Sequence, residues 1–487
     1  MRRLILLAAS AALLGCSNGA GAQSAQQLAA GEAQPITQAE RQQGQQADKG
    51  ILQEFGGAYQ GPQAAFAARV GQKIAVQSGL SSNPGAFDVT LLNSPVNNAF
   101  AIPGGYVYVT RELMALMNDE AELAAVLGHE VAHVAARHSA KRESAATRNS
   151  ILGALGQVVA GAVLGSDSVV GGLLQRGIGT GAQLATLGYS RGQETQSDDL
   201  GIAYLRRAGY DPTALSTMLD SLARQTALDQ RIAGDARTVP AWASTHPDPG
   251  ARVRRAAEQA GRAGGVRNRD AFLTAIDGML YGEDPKQGVI DGRTFLHPEF
   301  RLAFTIPAGF TMQNGAAAVT ITGQDAQAQF TTAAYDGDLS GYVGAALRKL
   351  GATSVPAVER TTVNGVPAAH ATLRARSGNT AVDLTVFAYA PTARAAYHFL
   401  VVTPAGSGLG ALASTVQSFR PLSTAEAAAA GEPRYVRIHT VRAGDTAATL
   451  SARMAYPDYR LERFLVLNGL EQGKALPVGS KVKLVTY

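Results

Sequence analysis

Apolar residues recur at helical spacing between residues 119 and 136. Four of them fall on one face of a helix: Leu123, Leu127, Val131 and Val134. Spacing of three and four residues predicts a helix with one buried side. Asn118 or Asp119 can cap its first turn, and Asp119 and Glu122 have the spacing of a capping box. This helix is therefore predicted without reference to any motif that it carries.

A different pattern begins near residue 287 and continues to about residue 425. Short runs rich in β-branched and aromatic residues alternate there with Gly and Pro turns, which predicts strands. The predicted strands lie at 301–306, 318–321, 381–389 and 397–402, and helical stretches lie at 341–350 and 409–419. We interpret residues 287–425 as an α+β domain with an antiparallel sheet.

The predicted helix at 119–136 carries the sequence HEVAH at residues 129–133, which has the form HExxH. Residues four apart share a helix face, so the imidazoles of His129 and His133 can bind one metal ion. Glu130 lies a little around the helix, where it can act as a general base toward a metal-bound water. The alternative is a chance HExxH on an ordinary helix. Because buried polar groups without partners are costly, the metal site is favoured.

Two imidazoles leave a zinc ion short of ligands, so a third ligand is expected elsewhere. Glu194 and Asp198 lie four apart in a second predicted helix. Glu194 is the candidate ligand, and Asp198 would accept a hydrogen bond from the far nitrogen of a ligand histidine. A solvated acidic face is the alternative. His138 competes as a ligand, but a helix continued through 135–137 would turn it away from His129, so we predict a structural role for it.

Three segments together resemble the CAAX prenyl protease/HtpX/BepA-type family of gluzincin peptidases. They are GHEVAHVAARH at 128–138, YSRGQETQSDDLG at 189–201 and STHPDPGARVRRA at 244–256, and NNAFAIPGGYVYV at 97–109 also fits. The resemblance covers residues 51–283. It implies one catalytic Zn²⁺ per chain, bound by His129, His133 and Glu194, with Glu130 as the catalytic base. Ser197 departs from the family pattern, which usually has Ala there.

A short strand before a Pro-Gly-Gly turn is a candidate substrate-binding element. It contains Asn98, Ala99, Phe100 and Ala101. An edge strand there could pair with an extended substrate backbone by β-augmentation, so that cleavage would depend on strand-like, unfolded substrate. An ordinary sheet strand is the alternative.

His246 lies in a loop before a predicted helix with Pro249 at its first position. As a catalytic residue it could polarise the substrate carbonyl or stabilise the oxyanion. It could instead bind zinc in a resting state and exclude water. Arg252, one turn into that helix, could orient the site.

The N-terminus has the features of a bacterial lipoprotein signal peptide. Residues 1–3 are basic, residues 4–14 are apolar but too short for a stable membrane anchor, and LLGC at 13–16 resembles a lipobox. We predict a signal peptide at 1–15 and a lipidated Cys16, with Ser17 favouring the outer membrane. Cys16 is the only cysteine, which excludes a disulfide framework and thiol catalysis. Residues 16–50, rich in Gln, Ala, Gly and Ser, are predicted to be a flexible tether.

Residues 433–487 resemble a LysM domain. The matching segments are HTVRAGDT at 439–446, NGL at 468–470 and LPVGSKVKL at 476–484, whereas 454–460 departs from the pattern with a Tyr-Pro-Asp-Tyr insert. The resemblance implies the order strand, helix, helix, strand and the binding of glycans that contain N-acetylglucosamine, here peptidoglycan. Because of the insert, a packing or partner module that has lost glycan binding is the alternative.

Charge excludes one class of partner. The chain has 43 Lys+Arg and 38 Asp+Glu, a net charge of +5, and no basic stripe with interleaved aromatics, so nucleic-acid binding is not predicted. The Gly-rich apolar stretch at 151–187 is predicted to be a helical hairpin that covers the site, with core packing as the alternative.

The predicted fold class is multidomain. A mainly α-helical zincin protease domain with a small sheet at 51–283 precedes the α+β domain at 287–425, which faintly resembles PsbP, and a small LysM-like βααβ domain at 433–487. The predicted function is a zinc-dependent endopeptidase of the bacterial periplasm, lipid-anchored at the outer membrane. The family resemblance implies unfolded or misassembled envelope proteins as substrates. A peptidoglycan-peptide hydrolase and a chaperone-like scaffold lipoprotein remain as alternatives.

Overall fold

The computed structural model describes residues 23–139, 189–233, 242, 246, 249–262, 264–315, 318–377 and 380–487. The predicted signal peptide at 1–15 with Cys16 and the predicted hairpin at 151–187 lie outside the described residues. Within the described ranges, no helix combines the length and the apolar character needed to cross a membrane.

The first unit combines helices with a small sheet. Its described helices are α1 (Ala25–Ala29), α2 (Gln38–Glu54), α3 (Pro62–Ala75), α4 (Arg111–Leu116), α5 (Glu120–Ala135), α6 (Arg191–Ala208), α7 (Ala214–Ala233), α8 (Pro249–Ala260) and α9 (Arg269–Ile276). Its strands are β1 (Asp88–Leu92), β2 (Ala99–Ile102), β3 (Tyr106–Thr110) and β4 (Leu280–Tyr281). The sheet order is β1–β3–β2, with β1 parallel and β2 antiparallel to β3.

Helix α5 confirms the helix predicted after Asn118 or Asp119, but it ends at Ala135 instead of continuing through Arg137. The Asp119 carboxylate accepts a hydrogen bond from the backbone N–H of Glu122 at 2.9 Å, and the Glu122 carboxylate accepts one from Asn118 at 2.7 Å. Asp119 is therefore the N-cap, because its carboxylate satisfies a backbone donor that lacks a partner within the helix, and Glu122 in turn accepts from the backbone N–H of Asn118 just before it. The predicted apolar face of α5 lies in the main core, where it meets side chains of α3, α6 and α7.

The N-terminal segment corrects the prediction of a flexible tether at 16–50. From residue 25 the chain forms α1 and α2, each opened by a complete capping box, at Ser24 and at Thr37. Gln and Ala are good helix formers, so the composition that suggested a tether also favours these helices. Leu28 and Ile51 anchor them in the core. A side chain at Gly44 would clash with the Pro103 carbonyl, so this glycine lets α2 approach the turn before β3.

The second unit is rich in strands, as the sequence predicts for 287–425. Its strands are β5 (Val289–Asp291), β6 (Thr294–His297), β7 (Leu302–Thr305), β8 (Thr311–Asn314), β9 (Val319–Thr322), β10 (Gln327–Thr332), β11 (Glu359–Val363), β12 (Val366–Ser377), β13 (Thr380–Thr392), β14 (Ala395–Pro404) and β15 (Arg420–Pro421). Its described helices are α10 (Leu339–Lys349), α11 (Ala413–Gln417) and α12 (Thr424–Ala430).

Two antiparallel sheets organise these strands. One has the order β11–β12–β13–β14–β10–β9–β8 and the other β15–β7–β6–β5. Helix α10 packs Val343 and Leu347 against β12 and β13 of the larger sheet. Aromatic side chains from both sheets, among them Phe304 and Phe399, form a second core.

The last unit has the predicted order of elements. Strand β16 (Arg434–Thr440), helices α13 (Ala447–Ser451) and α14 (Arg460–Leu467) and strand β17 (Lys481–Thr486) follow one another, and β16 and β17 pair in antiparallel fashion. Strand β16 also pairs with β4, so the last unit shares a sheet with the first. The assignment of this unit to the LysM family stays a prediction.

Lys483 on β17 strengthens this docking. Its side chain is fully buried, and Nζ donates to three carbonyl oxygens at the end of α4: those of Ala115, Leu116 and Met117. A cation at the C-terminal end of a helix meets carbonyl groups that lack partners within the helix. The first and last units are therefore joined by both backbone pairing and a buried polar anchor.

A pH-dependent stability is expected from Glu283, which follows β4. Burial raises the pKa of Glu283 to about 7. The negative charge of Glu112 adds to this rise in pKa, whereas Asn314, Arg111 and Arg434 oppose it. A carboxyl whose pKa is higher in the folded state stabilises the protein below its unfolded pKa, and this contribution is lost as pH rises through the folded pKa. We therefore expect Glu283→Gln to be more stable than the wild type at pH 8, by up to about 3 kcal/mol.

Thermal unfolding of Glu283→Gln and wild type at pH 5 and pH 8 tests this expectation. The variant should have the higher Tm at pH 8, and the difference should shrink at pH 5. An equal difference at both pH values would show that Glu283 does not titrate between them.

Candidate active site

Helices α5 and α6 bring the predicted site residues together. They approach closely at Gly201, where an added Cβ would lie only 3.4 Å from the backbone nitrogen of His129. Glu194 lies about two turns earlier on α6, and its carboxylate faces both histidines of the HExxH segment. The small residue therefore sets the spacing of the helices and, with it, the reach of the Glu194 carboxylate.

Three predicted ligand atoms converge. Nε2 of His129 lies 3.1 Å from Nε2 of His133. The Glu194 carboxylate lies 3.4 Å from Nε2 of His133 through Oε1 and 3.6 Å from Nε2 of His129 through Oε2. Zinc bonds of 2.0–2.1 Å in tetrahedral geometry place ligand atoms about 3.3 Å apart. The observed distances and the donor set of two imidazoles and one carboxylate therefore fit a zinc ion.

His246 belongs to the same cluster. Its Nδ1 lies 3.1 Å from both carboxylate oxygens of Glu194, and its Nε2 lies 3.6 Å from Oε1 of Glu130. Ligand atoms of His129, His133, Glu194 and His246 all lie within 4.8 Å of one another. The ring of Trp242 stacks on His246 with centroids 4.0 Å apart, which holds the imidazole over the site.

The electrostatics of the cluster suit a cation. Burial lowers the pKa of His133 well below its usual value, so this imidazole is neutral and can offer a lone pair. Burial alone would raise the pKa of Glu194, but contacts with His246 and His133 hold it below its usual range. The carboxylate is therefore ionised, as a ligand must be.

Glu130 is buried next to this cluster. Burial first, and then the charge of Glu194, raise its pKa well above the usual range. Its Oε1 has no hydrogen-bond partner among the described residues. A buried carboxylate oxygen without a partner is costly, and it indicates a position kept for a water molecule or a substrate group.

Asp198 and Arg252 form the next layer. Oδ1 of Asp198 lies 3.0 Å from Nδ1 of His129, although the angle does not meet that of a hydrogen bond. Arg252 donates to both oxygens of Asp198, at 2.8 and 2.6 Å, and to Oε2 of Glu194 at 2.5 Å. Burial opposes it, but the hydrogen bonds from Arg252 and the close contact with His129 lower the pKa of Asp198 to about 2. Arg252 thus ties together two carboxylates that would otherwise repel each other.

The predicted course of the chain at His138 is wrong. Helix α5 ends at Ala135, and Arg137 adopts a left-handed backbone with φ 51° instead of continuing the helix. His138 therefore turns back, and its Nδ1 lies 3.0 Å from Nδ1 of His133. It faces the outer nitrogen of His133 and is not in the group of possible ligands.

Sequence reasoning missed two aromatic residues. Tyr189 stacks on the ring of His133 with centroids 3.7 Å apart, and Trp242 stacks on His246. Neither is a motif residue that the chemistry of the site requires, and no periodic pattern marks either side chain as part of a site. The one feature of the sequence that could have indicated them is their position within or next to the motif segments at 189–201 and 244–256.

The candidate substrate strand is present as β2. It is one of the two outer strands of the small sheet in the described part of the chain, which is the position that β-augmentation requires. Ala99 and Ala101 are buried, Phe100 stacks on Tyr108, and the backbone N–H of Asn98 donates to Thr110 Oγ1. Substrate binding by these residues stays a prediction.

The sequence comparisons agree with this site. Residues 63–260 match peptidase family M48. The mitochondrial metalloendopeptidase OMA1 of Schizosaccharomyces pombe is 31% identical over 223 residues, which cover 45% of this chain and 60% of that protein. The beta-barrel assembly-enhancing proteases of Yersinia pestis and Escherichia coli (strain K12) are 32% and 31% identical over 173 residues, which cover 34% of this chain and 33% of each relative. The chain thus spans less than two thirds of each of these relatives.

Two solved structures show weak likeness. A crystal structure from Bacteroides thetaiotaomicron covers 41% of this chain and 87% of that chain with a TM-score of 0.24 and 9% identity. Cyanobacterial PsbP from Synechocystis covers 28% of this chain and 98% of that chain with a TM-score of 0.21 and 14% identity. At these scores neither likeness bears on the fold, so the faint resemblance to PsbP stays a prediction.

The predicted resemblance is supported for its BepA-type members. The match of residues 63–260 to peptidase family M48, together with the relatives named metalloendopeptidases, supports a metalloendopeptidase domain there. Its cluster of His129, His133, Glu194 and His246 can hold the zinc ion on which that family depends.

Proposed function

We propose that this protein is a zinc-dependent endopeptidase of the bacterial cell envelope that cleaves unfolded or misassembled envelope proteins. The observation that carries the proposal is the convergence of His129, His133 and Glu194. Beside them lies a carboxyl oxygen of Glu130 that accepts no hydrogen bond from the described residues. The names of the bacterial relatives, beta-barrel assembly-enhancing proteases, support an envelope substrate.

His129, His133 and Glu194 would hold the metal in this proposal. When bound, zinc supplies a Lewis acid for the peptide carbonyl and makes a water molecule a better nucleophile at neutral pH. Burial raises the pKa of Glu130, but a cation held by the neighbouring ligands would favour its ionised form. That carboxylate accepts the proton of the attacking water and then donates it to the nitrogen of the leaving amine. Asp198 orients His129, and Arg252 keeps Asp198 and Glu194 in place.

Strand β2 would provide the recognition element. An extended substrate would pair with its outer edge through backbone hydrogen bonds, with Asn98, Ala99, Phe100 and Ala101 along the paired segment. Backbone pairing reads no side chains, so the enzyme would select chains that are unfolded more than any particular sequence. This selectivity suits the removal of misassembled proteins.

The other segments would determine where the enzyme acts. A lipid on Cys16 would anchor it to the outer membrane, facing the periplasm. The LysM-like unit at 433–487 would bind peptidoglycan. Because that unit docks on the first through β4 and Lys483, glycan binding would also fix the position of the protease domain.

His246 is the residue whose replacement should raise activity. Its Nδ1 contacts Glu194 at 3.1 Å and its ring stacks on Trp242, so it occupies space beside the ligand atoms. This position favours the resting-state role over stabilisation of the oxyanion. We expect His246→Ala to cleave an unfolded protein several-fold faster than the wild type, as measured by initial rates. A fall in rate with zinc content unchanged would assign the catalytic role instead.

The substrate class is tested with matched folded and unfolded forms of one outer-membrane protein and with purified peptidoglycan. We expect cleavage of the unfolded form only, and no cleavage by Glu130→Gln. Release of muropeptides without cleavage of the unfolded protein would instead identify a peptidoglycan-peptide hydrolase. Full function of Glu130→Gln in cells would identify a scaffold.

A further inference from the structure

We propose that His138 is a positioning residue that accepts a hydrogen bond from Nδ1–H of His133 and so fixes the tautomer in which His133 presents Nε2 to the metal. The inference rests on the zinc site of the proposed function. It concerns a side chain that lies outside the ligand cluster, in the turn after α5.

The backbone turn that places His138 is held from two sides. The Arg137 guanidinium contacts the carbonyl oxygens of Gln34 and Pro35 and the carboxylate of Glu40, all in the N-terminal segment. The Gln193 side chain on α6 donates to the carbonyl oxygen of His138 at 3.4 Å. These contacts stabilise a left-handed residue that would otherwise be unfavourable for a non-glycine side chain.

The hydrogen-bond chemistry allows a single arrangement of protons once Nε2 of His133 is a ligand atom. Nε2 faces His129 and Glu194, so the proton of the neutral ring must be on Nδ1. That Nδ1 lies 3.0 Å from Nδ1 of His138, which must therefore offer its lone pair. His138 then carries its own proton on Nε2, which lies 3.0 Å from Oε1 of Gln196, an atom that can only accept.

Ser197 adds a contact to this series of hydrogen bonds. Its buried hydroxyl lies 3.5 Å from Nδ1 of His138, at a position where the sequence departs from the usual alanine of the resembled family. The departure therefore falls beside the residue that orients a ligand histidine. Tyr189 packs on the face of the His133 ring, so the ring is held both at its edge and on its face.

The two ligand histidines have different outer partners. His129 faces the carboxylate of Asp198, whereas His133 faces a neutral imidazole. Glu130, Glu194 and Asp198 already put three carboxyl groups into a buried site with Arg252 as the neighbouring cation. A neutral partner orients His133 without adding a further buried negative charge, which would be costly.

The test compares zinc affinity in the purified protein by competition with a chelator. His138→Leu removes the acceptor, whereas His138→Asn keeps an amide oxygen near the position of Nδ1. His398→Leu is the matched control, because His398 is also buried and bonded through Nδ1, to the Tyr342 hydroxyl of the second unit. We expect His138→Leu to bind zinc about 10–100-fold more weakly, His138→Asn to recover most of the loss and His398→Leu to match the wild type.

Gln196→Leu is the second variant, in case His138→Leu does not fold. It is expected to weaken zinc binding by a smaller factor, because it removes only the hydrogen bond between Gln196 and His138, which is the one farthest from the metal. Nitrogen NMR of labelled histidine in the zinc-loaded wild type should place the His138 proton on Nε2, which leaves Nδ1 free to accept from His133.

Three results would overturn the inference. They are wild-type zinc affinity in His138→Leu, equal weakness of folded His138→Asn and His138→Leu, and a His138 proton on Nδ1. Each of them leaves the zinc site itself standing. Failure of the wild type to bind zinc would instead overturn the proposed function and, with it, this role of His138.

Discussion

Glu130→Gln is expected to lower the rate of peptide cleavage by about 10³-fold while zinc binding stays intact. Glutamine has the shape of glutamate but cannot take a proton from the attacking water, and general acid–base catalysis of this kind typically contributes 10²–10⁴-fold. Glu130 is outside the group of possible ligands, so its replacement should leave the metal in place. Initial rates on an unfolded protein and zinc content measured on the same preparations check both parts.

Glu120→Gln provides the control for this variant. Glu120 is a buried glutamate on the same helix, but its carboxylate accepts a hydrogen bond from the Tyr210 hydroxyl at 2.6 Å, away from the cluster. It should cleave at close to the wild-type rate. If Glu130→Gln kept more than about a tenth of the wild-type rate, another group would have to be the base.

Glu194→Gln is expected to lose both zinc and activity. The binding free energy of zinc at structural sites with four ligands is about 10–16 kcal/mol. The loss of one anionic ligand should therefore weaken zinc binding by about 10²-fold or more. The change also takes an ionic partner from Arg252, whose Nη1 donates to the Glu194 carboxylate. Zinc affinity by chelator competition, together with cleavage rate, measures the effect.

Asp199→Asn is the matched control on the same helix. Asp199 forms its ion pair with Arg255 at 2.7 Å, outside the ligand cluster, and it is partly exposed. Its replacement should change neither zinc affinity nor rate. Normal zinc affinity in Glu194→Gln would show that a different side chain supplies the third ligand.

The chemistry of the site could be predicted because it lies on two regular helices. The period of α5 fixes which side is buried, and the four-residue spacings of His129 with His133 and of Glu194 with Asp198 put each pair on one face. Local periodicity therefore determined the candidate ligands, and the structure brings them within reach of one another.

The parts that could not be predicted depend on contacts distant in sequence. Helix α5 ends at Ala135 without a glycine to mark the end, because the following turn is held by Gln34, Pro35 and Gln193. The stacking of Trp242 on His246 is likewise a contact that no periodic pattern in the sequence indicates. Neither feature leaves a local signal in the sequence.

The N-terminal segment shows how composition can mislead. A stretch rich in Gln and Ala is compatible with a tether or with helices, and only burial decides between them. Leu28 and Ile51 are buried against the first unit, and their burial holds α1 and α2 as helices. Its contact with Arg137 links it to the turn that carries His138.

The most direct test of the central claim is to measure bound zinc and cleavage of an unfolded protein in one purified preparation of the wild type. The account predicts about one zinc ion per chain and cleavage that is lost when a chelator removes the metal and returns when zinc is restored. A fully folded protein that binds no zinc would contradict it.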